Sequence, residues 1–172
     1  MSDPAQLPFS GTDPAPVPLE PAAVEAPPQP APRAAAFQAS AGIQGRQFAE
    51  QCDTLLAHLG YELRGRRVIA EVGVEIDQEA VAPDGTLVWF EYKGSIQGHR
   101  PGLRRTDTLK KAVANGALLR ALPDAAPYVV LTSHLPEAGS GAAMLRAALE
   151  LGYLSDVICL YDPAATGRLR RR

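Results

Sequence analysis

The sequence predicts an α/β domain in which a mixed β-sheet is flanked by helices, and three observations lead there. Residues 74–93 carry two arms of alternating apolar character around Ala82-Pro83-Asp84-Gly85-Thr86, which is the pattern of a β-hairpin. Segments with helical spacing stand before and after it. The second half then runs strand, helix, strand, and that order implies a parallel pair joined by a crossover. The expected order is helix, hairpin or three-strand meander, helix, strand, helix, strand.

Composition sets the limits of the domain. Ten of the sixteen prolines, and ten alanines, fall in residues 1–40, a composition that predicts an extended, mobile tail. Residues 41–172 are enough for one substantial core. The start lacks a basic segment followed by an apolar run, and no later run is long or apolar enough to span a membrane, so the reading is a soluble cytoplasmic protein with no membrane partner. Cys52 and Cys159 match no zinc-ligand spacing and are expected as reduced core residues rather than a disulfide.

The elements follow in order. Phe48, Cys52, Leu55, Leu56 and Leu59 give residues 43–59 a helical stripe that Gly60 ends. Arg64, Arg66 and Arg67 follow on a short strand or loop and could extend a phosphate-binding surface. In the hairpin, Pro83 presets the first corner of a type I turn and Gly85 takes the left-handed position of a three-residue loop. That loop sets Ala82 opposite Thr86, Asp77 opposite Glu91 and Glu75 opposite Lys93. A two-residue Asp84-Gly85 turn would instead send Asp77 and Glu91 to opposite faces.

Residues 94–105 form a basic loop, and Thr106 or Asp107 is placed to cap a helix running to about Leu122. Tyr128 to Thr132 reads as a buried strand. Ser140 is expected to cap a helix over 141–151 that Gly152 ends, and Val157 to Tyr161 reads as the last strand. Arg168 to Arg172 reads as a disordered basic end that could touch nucleic acid.

The chemistry sits on the hairpin. With Val74, Ile76 and Ala80 against Val88, Phe90 and Tyr92 on a core face, the opposite face carries Asp77, Glu91 and Lys93 toward a cleft or solvent. Opposed carboxylates repel, and Mg²⁺, which takes one or two carboxylates with waters and phosphate oxygens, would make the pair favourable. Glu75 with Lys93 can alternatively be an ordinary cross-strand ion pair on a solvated face. Directly after the acids, residues 93–120 contain Lys93, Arg100, Arg104, Arg105, Lys110, Lys111 and Arg120 against Asp107 alone. A basic strip beside an acidic site suits a phosphate backbone; a plain solvated surface is the alternative. His99 is a candidate phosphate contact or proton carrier, and otherwise a loop histidine. No nucleophile elbow and no phosphate-cradling Gly-x-x-x-x-Gly-Lys is present.

Asp77 followed by Glu91-Tyr92-Lys93 at the end of a second apolar strand resembles the bipartite signature of the PD-(D/E)XK, or restriction-endonuclease-like, nuclease superfamily. The Glu75-Ile76-Asp77 form and the preceding helix are similar to its small Holliday-junction-resolvase-like members, although the proline before the first acid is missing. The resemblance is close over residues 45–94 and looser beyond. It implies a restriction-endonuclease-like fold and a Mg²⁺-dependent endonuclease, with Mn²⁺ as a substitute ion. Asp77, Glu91 and the Tyr92 carbonyl would hold the metal, Lys93 would orient or deprotonate the attacking water, and Glu50 on the helix could assist as a further acid. DNA is the implied partner, with RNA left open, and such enzymes commonly act as homodimers. Two other readings stay open: a nucleic-acid-binding module with this fold that does not cut, and a structural or interaction subunit tethered by its tail.

Overall fold

The computed structural model describes residues 32–94 and 101–171, and the predicted tail therefore lies largely outside the described residues. Five strands form one sheet in the order β1-β2-β3-β4-β5. They are β1 (Glu62–Ile69), β2 (Val74–Val81), β3 (Leu87–Lys93), β4 (Tyr128–Thr132) and β5 (Asp156–Cys159), with helices α1 (Pro32–His58), α2 (Thr106–Arg120), α3 (Gly139–Glu150) and the short α4 (Pro163–Thr166). β1, β2 and β3 are an antiparallel meander, and β3, β4 and β5 are parallel. Among the described residues no helix is long and apolar enough to cross a membrane.

α1 begins at Pro32, inside the segment whose composition suggested a tail. Proline is compatible with a first helical turn, where its missing N–H has no helical acceptor anyway. The helix ends as expected: Gly60 takes φ +88°, its N–H donates to the Ala57 carbonyl, and the Tyr61 N–H donates to Leu56. α2 and α3 start without the expected side-chain caps, since neither Thr106, Asp107 nor Ser140 accepts a capping hydrogen bond at these starts. Their first residues, Thr106 and Gly139, follow extended residues that leave the helix with no oxygen from a capping side chain.

The hairpin loop has the expected three residues. Ala82 N–H donates to Thr86, Gly85 N–H donates to Ala82, and Gly85 sits at φ +87°. The resulting ladder pairs Val81 with Leu87, Ala80 with Val88, Glu79 with Trp89 and Gln78 with Phe90, and there it stops. The register is the one that opposes Asp77 and Glu91, although those two residues lie just past the last ladder pair.

Two cores lie on the two faces of the sheet. Phe48, Cys52 and Leu56 of α1 cover Ala80, Val88, Phe90, Val129, Leu131 and Ile158 on one face. Leu109, Ala112 and Leu119 of α2 and Leu145 and Ala148 of α3 cover Ile76, Trp89, Tyr128 and Val130 on the other. The expected single apolar face of β2 is thus divided: Val74 and Ile76 belong to the second core and Ala80 to the first. The β1/β2 pairing is irregular around Gly65. An extra residue reverses the alternation of a strand, and every side chain beyond it changes face.

Candidate active site at the end of the hairpin

The irregularity in β2 and the early end of its ladder with β3 leave Asp77 beside residues 91–93. Asp77 Oδ2 accepts from the Tyr92 N–H at 2.8 Å. The Lys93 ammonium pairs with the Glu91 carboxylate and stands 3.8 Å from Asp77 Oδ2. Asp77, Glu91 and Lys93 therefore come together as the sequence suggested. Glu91 does not face open solvent, because its side chain is only 3% exposed and that of Lys93 16%, while Asp77 remains partly open at 28%. α2 and α3 cover this face, and Glu91 on it is enclosed.

Burial is the main force on Glu91. It pushes the carboxyl above its ordinary value, the Lys93 ammonium pulls it back down, and the Asp77 charge adds to the rise. Glu91 Oε2 and the Tyr128 hydroxyl are both buried without a partner at full hydrogen-bond geometry among the described residues, and the two groups face each other: Glu91 adds to the rise that burial imposes on the Tyr128 hydroxyl, and that hydroxyl in turn lowers Glu91 by hydrogen bonding. A buried carboxylate is costly to charge, and a cation beside it would offset the cost, as the Lys93 ammonium already does in part. The Tyr92 carbonyl is placed to join it: a strand residue directs N–H and C=O to the same side, and the Tyr92 N–H points at Asp77. Two carboxylates and a carbonyl fit a Mg²⁺ ion that keeps several waters. Among the described residues no group of three or more His, Cys, Asp or Glu is gathered.

The end of β3 is held by β4. The Thr132 hydroxyl donates to the Lys93 carbonyl at 2.8 Å, and Leu103 N–H donates to the His134 carbonyl at 3.0 Å. Gly102, at φ +58°, approaches Thr132, Ser133 and His134 so closely that a side chain there would collide with all three. The chain thus re-enters α2 next to the carboxyl ends of β3 and β4.

The remaining candidates are distributed differently. His99 and Arg100 lie outside the described residues. Arg104 is paired with Glu137, while Arg105, Lys110 and Lys111 are exposed and make no ion pair to a described residue. Glu75 pairs with Arg66 at 2.8 Å and not with Lys93, because the β2/β3 ladder has ended before it. Arg67 is engaged by Glu79, and Arg64 stands 3.6 Å from Glu62, so each arginine of β1 already has a carboxylate. Glu50 is exposed on α1.

Three residues near the site were not singled out from sequence. Glu79 is buried and takes hydrogen bonds from Arg67 and from Trp89 Nε1 at 3.0 Å. Tyr128 sits beside Glu91. Asp53 on α1 accepts from the Tyr92 hydroxyl at 2.6 Å. Helix geometry carried a weak signal for Asp53: at 3.6 residues per turn it lies about 120° from the centre of the apolar stripe, whereas Glu50 lies about 180° from it. Asp53 and Asp77 both raise the buried Cys52 thiol, after burial itself. The chain matches no family model, no curated protein and no solved structure.

Proposed function

We propose that this chain is a Mg²⁺-dependent endonuclease of the restriction-endonuclease-like type, hydrolysing phosphodiester bonds in DNA. One observation carries the reading: Lys93 pairs with an almost wholly buried Glu91 and stands 3.8 Å from Asp77, so two carboxylates and an ammonium meet at one strand end.

Asp77, Glu91 and the Tyr92 carbonyl would hold the cation. When bound, it lowers the pKa of a water ligand and offsets charge on the phosphorane-like transition state. Lys93 has the position to hold the attacking water or a phosphate oxygen by hydrogen bonding. Tyr92 N–H orients Asp77 by taking one of its two carboxylate oxygens. Arg105, Lys110 and Lys111 are free to meet the phosphate backbone, and the sequence-independent affinity they supply weakens with salt.

The test is incubation of the purified chain with supercoiled plasmid and branched DNA in Mg²⁺, Mn²⁺ or EDTA, beside Asp77→Ala and Lys93→Ala. Cutting that needs the metal and is lost in both variants supports the reading. Salt-sensitive DNA binding without cutting replaces it with a binding module, and no binding replaces it with a structural subunit.

A further inference from the structure

We propose that Asp53 is a positioning residue of this site, holding through the Tyr92 side chain the peptide whose N–H grips Asp77. The last ladder pair between β2 and β3 is Gln78 with Phe90. Two residues on, the Tyr92 N–H has no strand partner on the β2 side and donates to a side chain, Asp77 Oδ2 at 2.8 Å. Sheet hydrogen bonding on that side therefore does not set where the Tyr92 peptide lies. On the other side of the residue the hydroxyl donates to Asp53 Oδ1 at 2.6 Å, a short bond to a charged acceptor of the stronger kind. One further contact fixes the same strand end: Gly94 is pressed against the Phe48 ring of α1 so closely that an added Cβ would overlap it. α1 thus clamps β3 where its ladder with β2 has run out, by a ring at Gly94 and a hydrogen bond at Tyr92, while β4 holds the other edge of the strand as far as Lys93.

Asp77 and the Tyr92 carbonyl belong to the cation site only under the nuclease reading, on which the effect on metal affinity rests; the tether itself is independent of it. Asp53 makes no contact with the reacting groups in this arrangement, and its influence passes through one hydroxyl.

The experiment is amide hydrogen exchange at Tyr92 by NMR on the full chain, in wild type, Asp53→Ala, Asp53→Asn, Tyr92→Phe and the double variant Asp53→Ala/Tyr92→Phe. Mn²⁺ titration is run on the same samples and on Asp77→Ala. Exchange at Tyr92 is expected to rise by about tenfold or more in Asp53→Ala and in Tyr92→Phe, tenfold being the lower end for one hydrogen bond to a charged group, with core amides unchanged. The double variant should be no worse than either single one, and Asp53→Asn, which keeps an acceptor oxygen, should recover part of the protection. Mn²⁺ affinity should fall in parallel. Unchanged Tyr92 exchange in a folded Asp53→Ala protein overturns the proposal, as do additive losses in the double variant, which would mean that Asp53 acts directly. Faster Tyr92 exchange with no Mn²⁺ binding even in wild type would uphold the tether and remove the nuclease reading.

Discussion

Glu91 and Lys93 stand two residues apart on β3, and the Lys93 ammonium closes on a Glu91 carboxylate that the fold almost completely buries. Breaking one half of a buried pair leaves an uncompensated charge, with a cost of about 3–5 kcal/mol. Lys93→Met should therefore unfold at markedly lower urea concentration than wild type at neutral pH. Its Glu91 pKa should climb further, because the ammonium that pulled it down is gone. Since a raised carboxyl binds its proton more readily folded than unfolded, the penalty should be present above the folded pKa and fade as pH falls through it. Adding Glu91→Gln should recover much of the loss at pH 7; equal instability of the single and double variants would show that the charge is not its source.

Gly94 lies against the Phe48 ring, and a methyl group there would occupy the space of the ring itself. Overpacking of this kind costs about 1–3 kcal/mol or more. Gly94→Ala should lower the thermal midpoint, and the smaller side chain of Phe48→Leu should partly restore it. Additive destabilisation in the double variant would contradict the contact.

Gly116 gives the opposite sign to helix propensity. In an exposed helix interior, glycine to alanine stabilises by about 1 kcal/mol. Here the added Cβ would meet the Tyr153 carbonyl, a backbone atom that cannot swing away. Gly116→Ala should be destabilising in urea unfolding, and a stabilised variant would mean that α2 does not pack so near the chain leaving α3.

Asp84 is the exposed counterpart to Glu91. Its carboxyl is held below the ordinary value of 3.8, chiefly by the Thr86 backbone N–H, which donates to Oδ1 at 2.8 Å. Between the lowered folded pKa and the ordinary value, the unfolded chain holds the proton more tightly, so stability rises with pH. This contribution is present above pH 3.8 and lost as pH falls through the folded value. Asp84→Asn should remove that acid slope and leave the profile near neutrality unchanged, as followed by circular dichroism at a series of pH values.

Arg105, Lys110 and Lys111 are exposed and make no ion pair to a described residue. If they meet duplex phosphates, each change to alanine should reduce the slope of log affinity against log salt by about 0.9. Arg66→Ala, whose partner is Glu75, should leave that slope nearly unchanged. Equal slopes throughout the series would place the DNA elsewhere.

Local chemistry was sufficient for much of this. Pro83, Asp84 and Gly85 dictate a three-residue loop, and the loop dictates the register from Val81 with Leu87 to Gln78 with Phe90. Gly60 and Gly152 end their helices by adopting positive φ, and the strand, helix, strand order of the second half is a parallel pair. These outcomes depend on neighbours in sequence, so a single chain of letters contains them.

Tertiary structure decided the rest, because each remaining point depends on which surfaces meet. The β2 irregularity moves Val74 and Ile76 to the α2 and α3 side, away from Ala80, and no spacing of apolar letters announces where a ladder slips. The burial of Glu91 follows from helices packed above it, and the pairing of Glu75 with Arg66 from a strand on the other edge. Asp53 approaches Tyr92 across 39 positions of sequence. Residue type and turn chemistry placed two acids and a lysine on one hairpin, but only packing could bury Glu91 beside Tyr128 and bring a helix acid to the tyrosine between Glu91 and Lys93.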